Sequence, residues 1–96
     1  MSYCITNKMI EKLALRLNKL AGTPEVPYKR GDNGELEWQE GHYHISYAYG
    51  GACLHQITAG GGVCDIFHCG HVSKRDLYNR ISAFIDGYQA AKDDAS

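Results

Sequence analysis

The stretch from His42 to Cys69 constrains the fold of this chain most, because its side-chain types alternate with a period of two. Such alternation is typical of strands whose two faces have different surroundings. Glycine interrupts it at 50–51 and again at 60–62, and glycine reaches the positive φ values of tight turns without steric cost. The pattern predicts three antiparallel strands, at about 42–49, 52–58 and 63–68.

A helix is predicted on each side of this meander. Residues 7–21 place apolar side chains at helical spacing, and Gly22 is suited to end that helix in a left-handed turn. A second apolar stripe covers residues 73 to about 91, where Ser73 can act as the N-cap. Residues 92–96 are small and polar and are expected to fray. Because each helix has one apolar side, both are expected to pack on the same sheet face.

The segment between the first helix and the meander predicts a short strand pair around the Asp-Asn-Gly turn at 32–34. Leu36 and Trp38 alternate there with polar neighbours, which indicates a half-buried strand with Trp38 in the core. The chain is therefore predicted to be a single α+β domain over residues 1–96. Its antiparallel meander has three to five strands over about 26–69, with a helix at either end.

Charge and composition argue against several classes of function. The formal net charge is −1, whereas a surface that binds nucleic acid or an acidic membrane needs clustered basic residues. No apolar run approaches the roughly 20 residues of a membrane span, and the N-terminus lacks the pattern of a signal peptide. We therefore expect a cytoplasmic protein without membrane or nucleic-acid partners, whose four cysteines are reduced.

Pairing across the first glycine turn divides the sheet into two faces. A two-residue loop at 50–51 sets Tyr47 opposite Leu54 on an aromatic and aliphatic face, which we assign to the helices. The second face is predicted to hold no Lys, Arg, Asp or Glu and to have no helix over it. This favours a contact surface for another protein or a second copy, unless a helix or residues 23–40 cover it. The predicted partner-binding residues are His42, His44, Ala48, Cys53, His55, Ile57, Ile66 and His68.

Cysteine and histidine are dense between residues 53 and 71, which raises the question of a tetrahedral zinc site. A four-residue loop at 59–62 would set Cys53 opposite His68, whereas a change of one residue in the length of that loop would turn the third strand over. The candidate ligands are Cys53, Cys64, His55 and His68. Since the chain has no C-x-x-C pair and no standard zinc spacing, neither a metal nor another cofactor is predicted.

The same residues contain candidate Cys-His pairs for nucleophilic catalysis. A nucleophile needs a lowered pKa, an orienting group and an oxyanion hole, and flat positions in the middle of a strand supply none of these. The nearest carboxylate, Asp65, is predicted to lie on the opposite face. No catalytic residue is therefore predicted, and we expect the protein not to be an enzyme.

Two segments carry a resemblance to known proteins: YAYGGACLHQI at 47–57, with its Gly-Gly hairpin, and GHVSKRDLYNRISAFIDGY at 70–88, with its Lys-Arg-Asp-Leu helix start. Over about its last half the chain resembles small accessory proteins encoded by phages and prophages of proteobacteria, including orphan helix–sheet–helix proteins and some anti-CRISPR proteins. The resemblance implies a non-enzymatic protein that binds a host protein complex and modulates or inhibits it. The strong acidity of DNA-mimicking inhibitors is absent. The alternative hypothesis is a structural or regulatory module stabilised by a Cys/His metal site, with homodimerisation through the open sheet face.

Overall fold

The computed structural model of the chain describes residues 4–95. In chain order its elements are α1 (Asn7–Ala21), β1 (Tyr28–Arg30), β2 (Leu36–Trp38), β3 (Tyr43–Ala48), β4 (Gly51–Ile57), β5 (Val63–Asp65) and α2 (Lys74–Ala95). The predicted α+β class is confirmed. The strands form two sheets, however: an antiparallel pair β1-β2 and an antiparallel meander of order β3-β4-β5. Neither helix has the length and apolar composition needed to cross a membrane.

Short polar side chains define where the helices begin. The hydroxyl of Thr6 accepts a hydrogen bond from the Met9 amide at 3.2 Å, and the hydroxyl of Ser73 accepts one from the Asp76 amide at 3.1 Å. Gly22, with φ of 73°, ends α1 in the left-handed conformation.

The last turn of α2 is fastened to the last turn of α1. Helix α2 continues to Ala95, four residues beyond its predicted end, and Lys92 Nζ donates a hydrogen bond to the Leu20 carbonyl at 2.9 Å. Lys92 belongs to the segment that was predicted to fray, and this contact holds it against α1. Ser96, the last residue of that segment, lies outside the described residues.

One hydrophobic core lies between the two helices and one face of the meander. Helix α1 packs on β3, α2 packs on β4, and the two helices contact each other. Both helices therefore lie on one sheet face, as predicted. The most completely buried apolar side chains are Ile10, Leu17, Leu54, Leu77, Ile81 and Ile85. Each contributes about 1.5–3 kcal/mol through removal of its surface from water.

The turn between β3 and β4 is centred on Tyr49 and Gly50 instead of the two adjacent glycines. Tyr47 lies opposite Ala52, two residues away from the predicted partner Leu54. Tyr49 and Gly50 have φ of 53° and 74°, and two successive positive φ values are typical of a type I′ hairpin turn. Because the shift is an even number of residues, the side chains of β3 and β4 keep their predicted faces.

Gly51 is the first residue of β4, and the connection to α2 passes directly over it. A Cβ atom at Gly51 would lie only 2.7 Å from the Val72 carbonyl oxygen. Next to it, Ala52 and Val72 exchange two backbone hydrogen bonds of 2.8 and 2.9 Å. This bridge extends the meander by one residue and carries His71 to the edge of the sheet.

The third strand is turned over relative to its prediction. Asp65 lies opposite His55, and the loop at 58–62 is one residue longer than expected. A shift of one residue exchanges the two faces of a strand. Cys64 therefore lies on the helix side, and Ile66, which was predicted on the second face, packs against the core.

Candidate protein-binding surfaces

The second face of the meander, which points away from the helices, is more covered than predicted. Cys53 and Ile57 are 1% and 2% exposed, and His42 is also buried. His42 Nδ1 donates a hydrogen bond to the Pro24 carbonyl at 2.7 Å, so the segment after α1 lies against it. The prediction that these three residues line an open contact surface is therefore wrong. The alternative, in which residues 23–40 cover part of this face, holds at His42.

The other predicted contact residues divide between three places. His44, Ala48 and His55 are half-buried on the second face. Ile66 lies on the helix side, as described above. His68 is exposed but follows the end of β5, in a turn where its φ is 54°. Of the predicted set, only His44, Ala48 and His55 remain partly accessible on the face for which they were proposed.

Histidine rings form a row across this face. The ring centroids of His42 and His44 are 5.9 Å apart, those of His44 and His55 are 5.6 Å apart, and those of His55 and His71 are 6.1 Å apart. His71 Nε2 and the Ser46 hydroxyl are 3.1 Å apart at the end of the row. The sequence did not place His71 here, because the bridge that brings it in is one residue long and has no alternation.

The surroundings of His44 in this row lower its pKa. Burial lowers the pKa of His44, and His55 and His42 lower it further because they would carry charge of the same sign. Its Nδ1 atom is buried without a hydrogen-bond partner in the described part of the chain. His44 is therefore a neutral ring at pH 7.

The candidate metal ligands do not come together in the described residues. No group of three His, Cys, Asp or Glu side chains between residues 4 and 95 converges as a metal site requires. Cys53 is the most buried of the candidates. Burial, followed by a hydrogen bond to Asp65, raises the pKa of the Cys53 thiol to about 12. It is therefore protonated at neutral pH, which makes it a poor nucleophile and a poor ligand.

Asp65 lies on the same face as Cys53, which corrects its predicted position, but its carboxylate serves the turn that follows. It accepts hydrogen bonds from the amides of Gly70 at 2.8 Å, His68 at 3.0 Å and Phe67 at 3.2 Å. Burial opposes ionisation of Asp65, but these amides and the Cys53 thiol outweigh it and lower the pKa of the carboxyl. Asp65 therefore stabilises the turn and is not placed as a catalytic orienter.

The β1-β2 hairpin presents a cluster of three exposed large apolar side chains. Tyr28, Leu36 and Trp38 are 47%, 59% and 61% exposed. The register pairs Tyr28 with Trp38 and Arg30 with Leu36, so all these side chains project on one side. We call Tyr28, Leu36 and Trp38 the hairpin face.

Trp38 was predicted in the core, and this prediction is wrong because the hairpin does not join the meander. Its ring packs edge-on against Tyr28, with ring centroids 5.9 Å apart. On the other side it lies over Gly61, where a Cβ atom would come within 2.8 Å of the indole. These contacts hold the ring in position and leave most of it exposed.

The outer edge of β3 is capped at one end by Asn18 of α1. The Tyr43 amide donates to Asn18 Oδ1 at 2.8 Å, and Asn18 Nδ2 donates to the Tyr43 carbonyl at 3.0 Å. The carboxamide thus replaces a neighbouring strand for this residue. Sequence reasoning missed Asn18, although a polar side chain four residues after Ala14, on the apolar side of the helix, was a usable signal.

Comparison with models of protein families, with curated proteins and with solved structures finds no match to this chain. Its function is therefore inferred from its own residues and surfaces. In the described residues these surfaces are the histidine row, the hairpin face and the edge of β3.

Proposed function

We propose that this chain is a small non-enzymatic accessory protein of the phage type, which binds a host protein complex and modulates or inhibits it. The hairpin face is the observation that carries this proposal. The resemblance of residues 47–57 and 70–88 to phage accessory proteins supports it, and we place the protein in the cytoplasm of the host cell.

The hairpin face has the chemistry of a binding hot spot. Tyrosine and tryptophan are enriched in the centres of protein interfaces, where a few buried rings supply most of the affinity. The contact between Tyr28 and Trp38 supports the hairpin, but it leaves Leu36 and Trp38 59% and 61% exposed. Burial of Trp38 and Leu36 against a partner would remove this surface from water.

The described polar groups also favour binding over catalysis. The Cys53 thiol is protonated and buried, and the Asp65 carboxylate is occupied by backbone amides. The mode of action that fits is occlusion, in which the hairpin face covers a surface that the host complex needs.

The test is capture of a partner from a proteobacterial host lysate by the purified, tagged protein and two variants. Trp38→Ala removes the central ring of the hairpin face, whereas Tyr49→Ala removes a ring that is 98% exposed in the β3-β4 turn. We expect Trp38→Ala to weaken binding of the captured protein about 30-fold, since a hot spot contributes about 2 kcal/mol, and Tyr49→Ala to leave it unchanged. Equal capture by Trp38→Ala and wild type, or capture of nothing by wild type, would contradict the proposal.

A further inference from the structure

The edge of β3 is open beyond the point where Asn18 caps it. In an antiparallel strand, alternate residues direct both backbone groups to the same side. The Tyr43 groups point to Asn18, away from β4, so those of Ile45 and Tyr47 point the same way. β3 is the outer strand of its sheet, and the described residues add no strand beyond it. Two N–H and two C=O groups are thus presented in a row.

The strand itself lacks the sequence features that usually prevent strand addition, and α1 runs beside it, where Glu11 accepts a hydrogen bond from the Tyr47 hydroxyl at 3.0 Å. Proline, charged side chains and bulges protect exposed edges in most proteins. The six residues of β3, YHISYA, contain no proline, lysine, arginine or carboxylate, and every one of them pairs in regular register with β4. An extended segment could therefore add to β3 without a steric or electrostatic obstacle from the strand itself.

A groove of about 310 Å³ lies beside the Tyr43–Ile45 part of β3, between α1 and the segment that follows it. Its charged lining residues are Glu11 from α1 and Glu25 from the segment after α1, and no lysine or arginine lines it. His44 also lines it and is neutral at pH 7, as described above. The groove is therefore acidic, and Leu15, Pro27 and Ile45 give it apolar walls.

We propose that the edge groove binds an extended, basic segment of a partner protein as an added strand beside Ile45 and Tyr47. Backbone hydrogen bonds to β3 supply the attachment, and Glu11 and Glu25 select a lysine or arginine in the segment. A second copy of β3 is a poorer occupant, because it has no basic side chain and would bring its own Glu11 and Glu25 to face the first pair. The inference rests on the proposed function only in that the partner is a protein.

The first experiment uses synthetic peptides and purified protein, so it does not depend on the hairpin face or on a lysate. The probe is a labelled peptide of about eight residues, an ordinary strand length, that alternates lysine and valine. One control replaces lysine with glutamate, and the other keeps lysine but methylates alternate backbone nitrogens. We expect fluorescence anisotropy to show binding of the first peptide and at least about tenfold weaker binding of both controls.

Protein variants test the part assigned to the carboxylates. Glu25→Gln and Glu11→Gln should each weaken binding of the lysine peptide about threefold to tenfold, because a charge pair is replaced by a neutral contact. Glu35→Gln, which makes the same change on the hairpin, should leave binding unchanged. If all three variants weaken binding equally, the preference for lysine reflects net charge alone, and the role proposed for the groove is wrong.

Hydrogen exchange followed by NMR locates the bound peptide on the strand. Without peptide, the Ile45 and Tyr47 amides should exchange fast, while the His44 and Ser46 amides, which face β4, should exchange slowly. The lysine peptide should protect Ile45 and Tyr47. Protection that rises with protein concentration alone would assign the edge to a second copy. Protection at every concentration without peptide would assign it to the chain's own residues, and either result would overturn the proposal.

Failure here is distinguishable from failure of the proposed function. If no peptide binds but Trp38→Ala abolishes capture from lysate, the edge inference fails and the accessory function stands. If the peptide binds at the edge but nothing is captured, strand addition stands as a property of the domain and the host-directed function fails.

Discussion

Two regions of this molecule contain strands of similar sequence pattern and opposite environment. Leu54 of β4 is 0% exposed, while Leu36 of β2 is 59% exposed, although each alternates with polar neighbours in an antiparallel pair. The two regions differ because the helices pack on the meander and not on the hairpin. The meander receives two apolar helix stripes on one face, and the hairpin receives none. Alternation therefore reveals that a strand has two unlike faces and does not reveal what covers them.

Under the proposed function, the contrast also separates residues that stabilise the fold from residues that bind a partner. In the meander, apolar side chains are buried and hold the fold together. In the hairpin, apolar side chains of the same kinds remain in water and are available to a partner. A substitution in one region should therefore affect the free energy of unfolding, and a substitution in the other should affect binding.

The largest difference between the two regions is expected in the free energy of unfolding when a leucine of each is replaced by alanine. Leu54→Ala should lower the free energy of unfolding by about 2–5 kcal/mol, because it leaves a cavity in the core. Leu36→Ala should change it by no more than about 0.5 kcal/mol, since its side chain is mostly solvated already. Urea denaturation followed by circular dichroism measures both. A cost for Leu36→Ala close to that for Leu54→Ala would mean that the hairpin packs on the meander in solution.

A smaller effect is expected at the edge of β3. Asn18→Ala removes the partners of the Tyr43 amide and carbonyl and should cost about 1–3 kcal/mol, as expected for buried polar groups left unpaired. Asn79→Ala, on the exposed side of α2, is the matched control and should cost less than about 0.5 kcal/mol. If both variants unfold at the same urea concentration, water replaces the carboxamide without loss and the cap does not stabilise the edge.

The smallest effect is a dependence on pH in the histidine row. The pKa of His44 is lowered in the fold, so the unfolded chain binds a proton more readily. The stability from neutral His44 is present in full above pH 6.5, its ordinary pKa, and is lost as the pH falls from there towards the lower pKa of the folded state. The loss should be small, because the ring is partly exposed and solvent screens its charge. His44→Gln should reduce it. Urea midpoints measured between pH 7.5 and pH 5 on the wild type and on His44→Gln decide this, and identical pH dependence in both would contradict the assignment to His44.

Much of the fold could be predicted because several local signals agree. Ser73 and Gly22 mark helix ends by chemistry that acts within a few residues, and the apolar stripes of the helices pack on one face of the meander. The faces of β3 and β4 followed from the period of two. These face assignments stayed correct although the predicted turn was wrong, because the register shifted by an even number of residues.

The remaining features depend on loop length and on contacts between residues far apart in the sequence, and local patterns do not show either. The loop at 58–62 is one residue longer than the predicted loop at 59–62, so β5 presents its other face and Asp65 lies beside Cys53. Trp38 lies outside the core because the hairpin forms its own sheet, which composition cannot indicate. The edge groove was not predicted because it requires Asn18 to meet Tyr43 across 25 residues of sequence.

The hydrogen bond from Lys92 to the Leu20 carbonyl has an electrostatic consequence. It joins the final turns of the two helices, and their first residues, Asn7 and Lys74, line one pocket at the opposite end. The helices therefore run side by side in the same direction. Each carries about half a negative charge at its C-terminal end, so two like poles lie together. The ammonium group of Lys92 donates to a carbonyl of the last turn of α1 and offsets the negative pole there, and a chain cut before residue 92 would lose that positive charge.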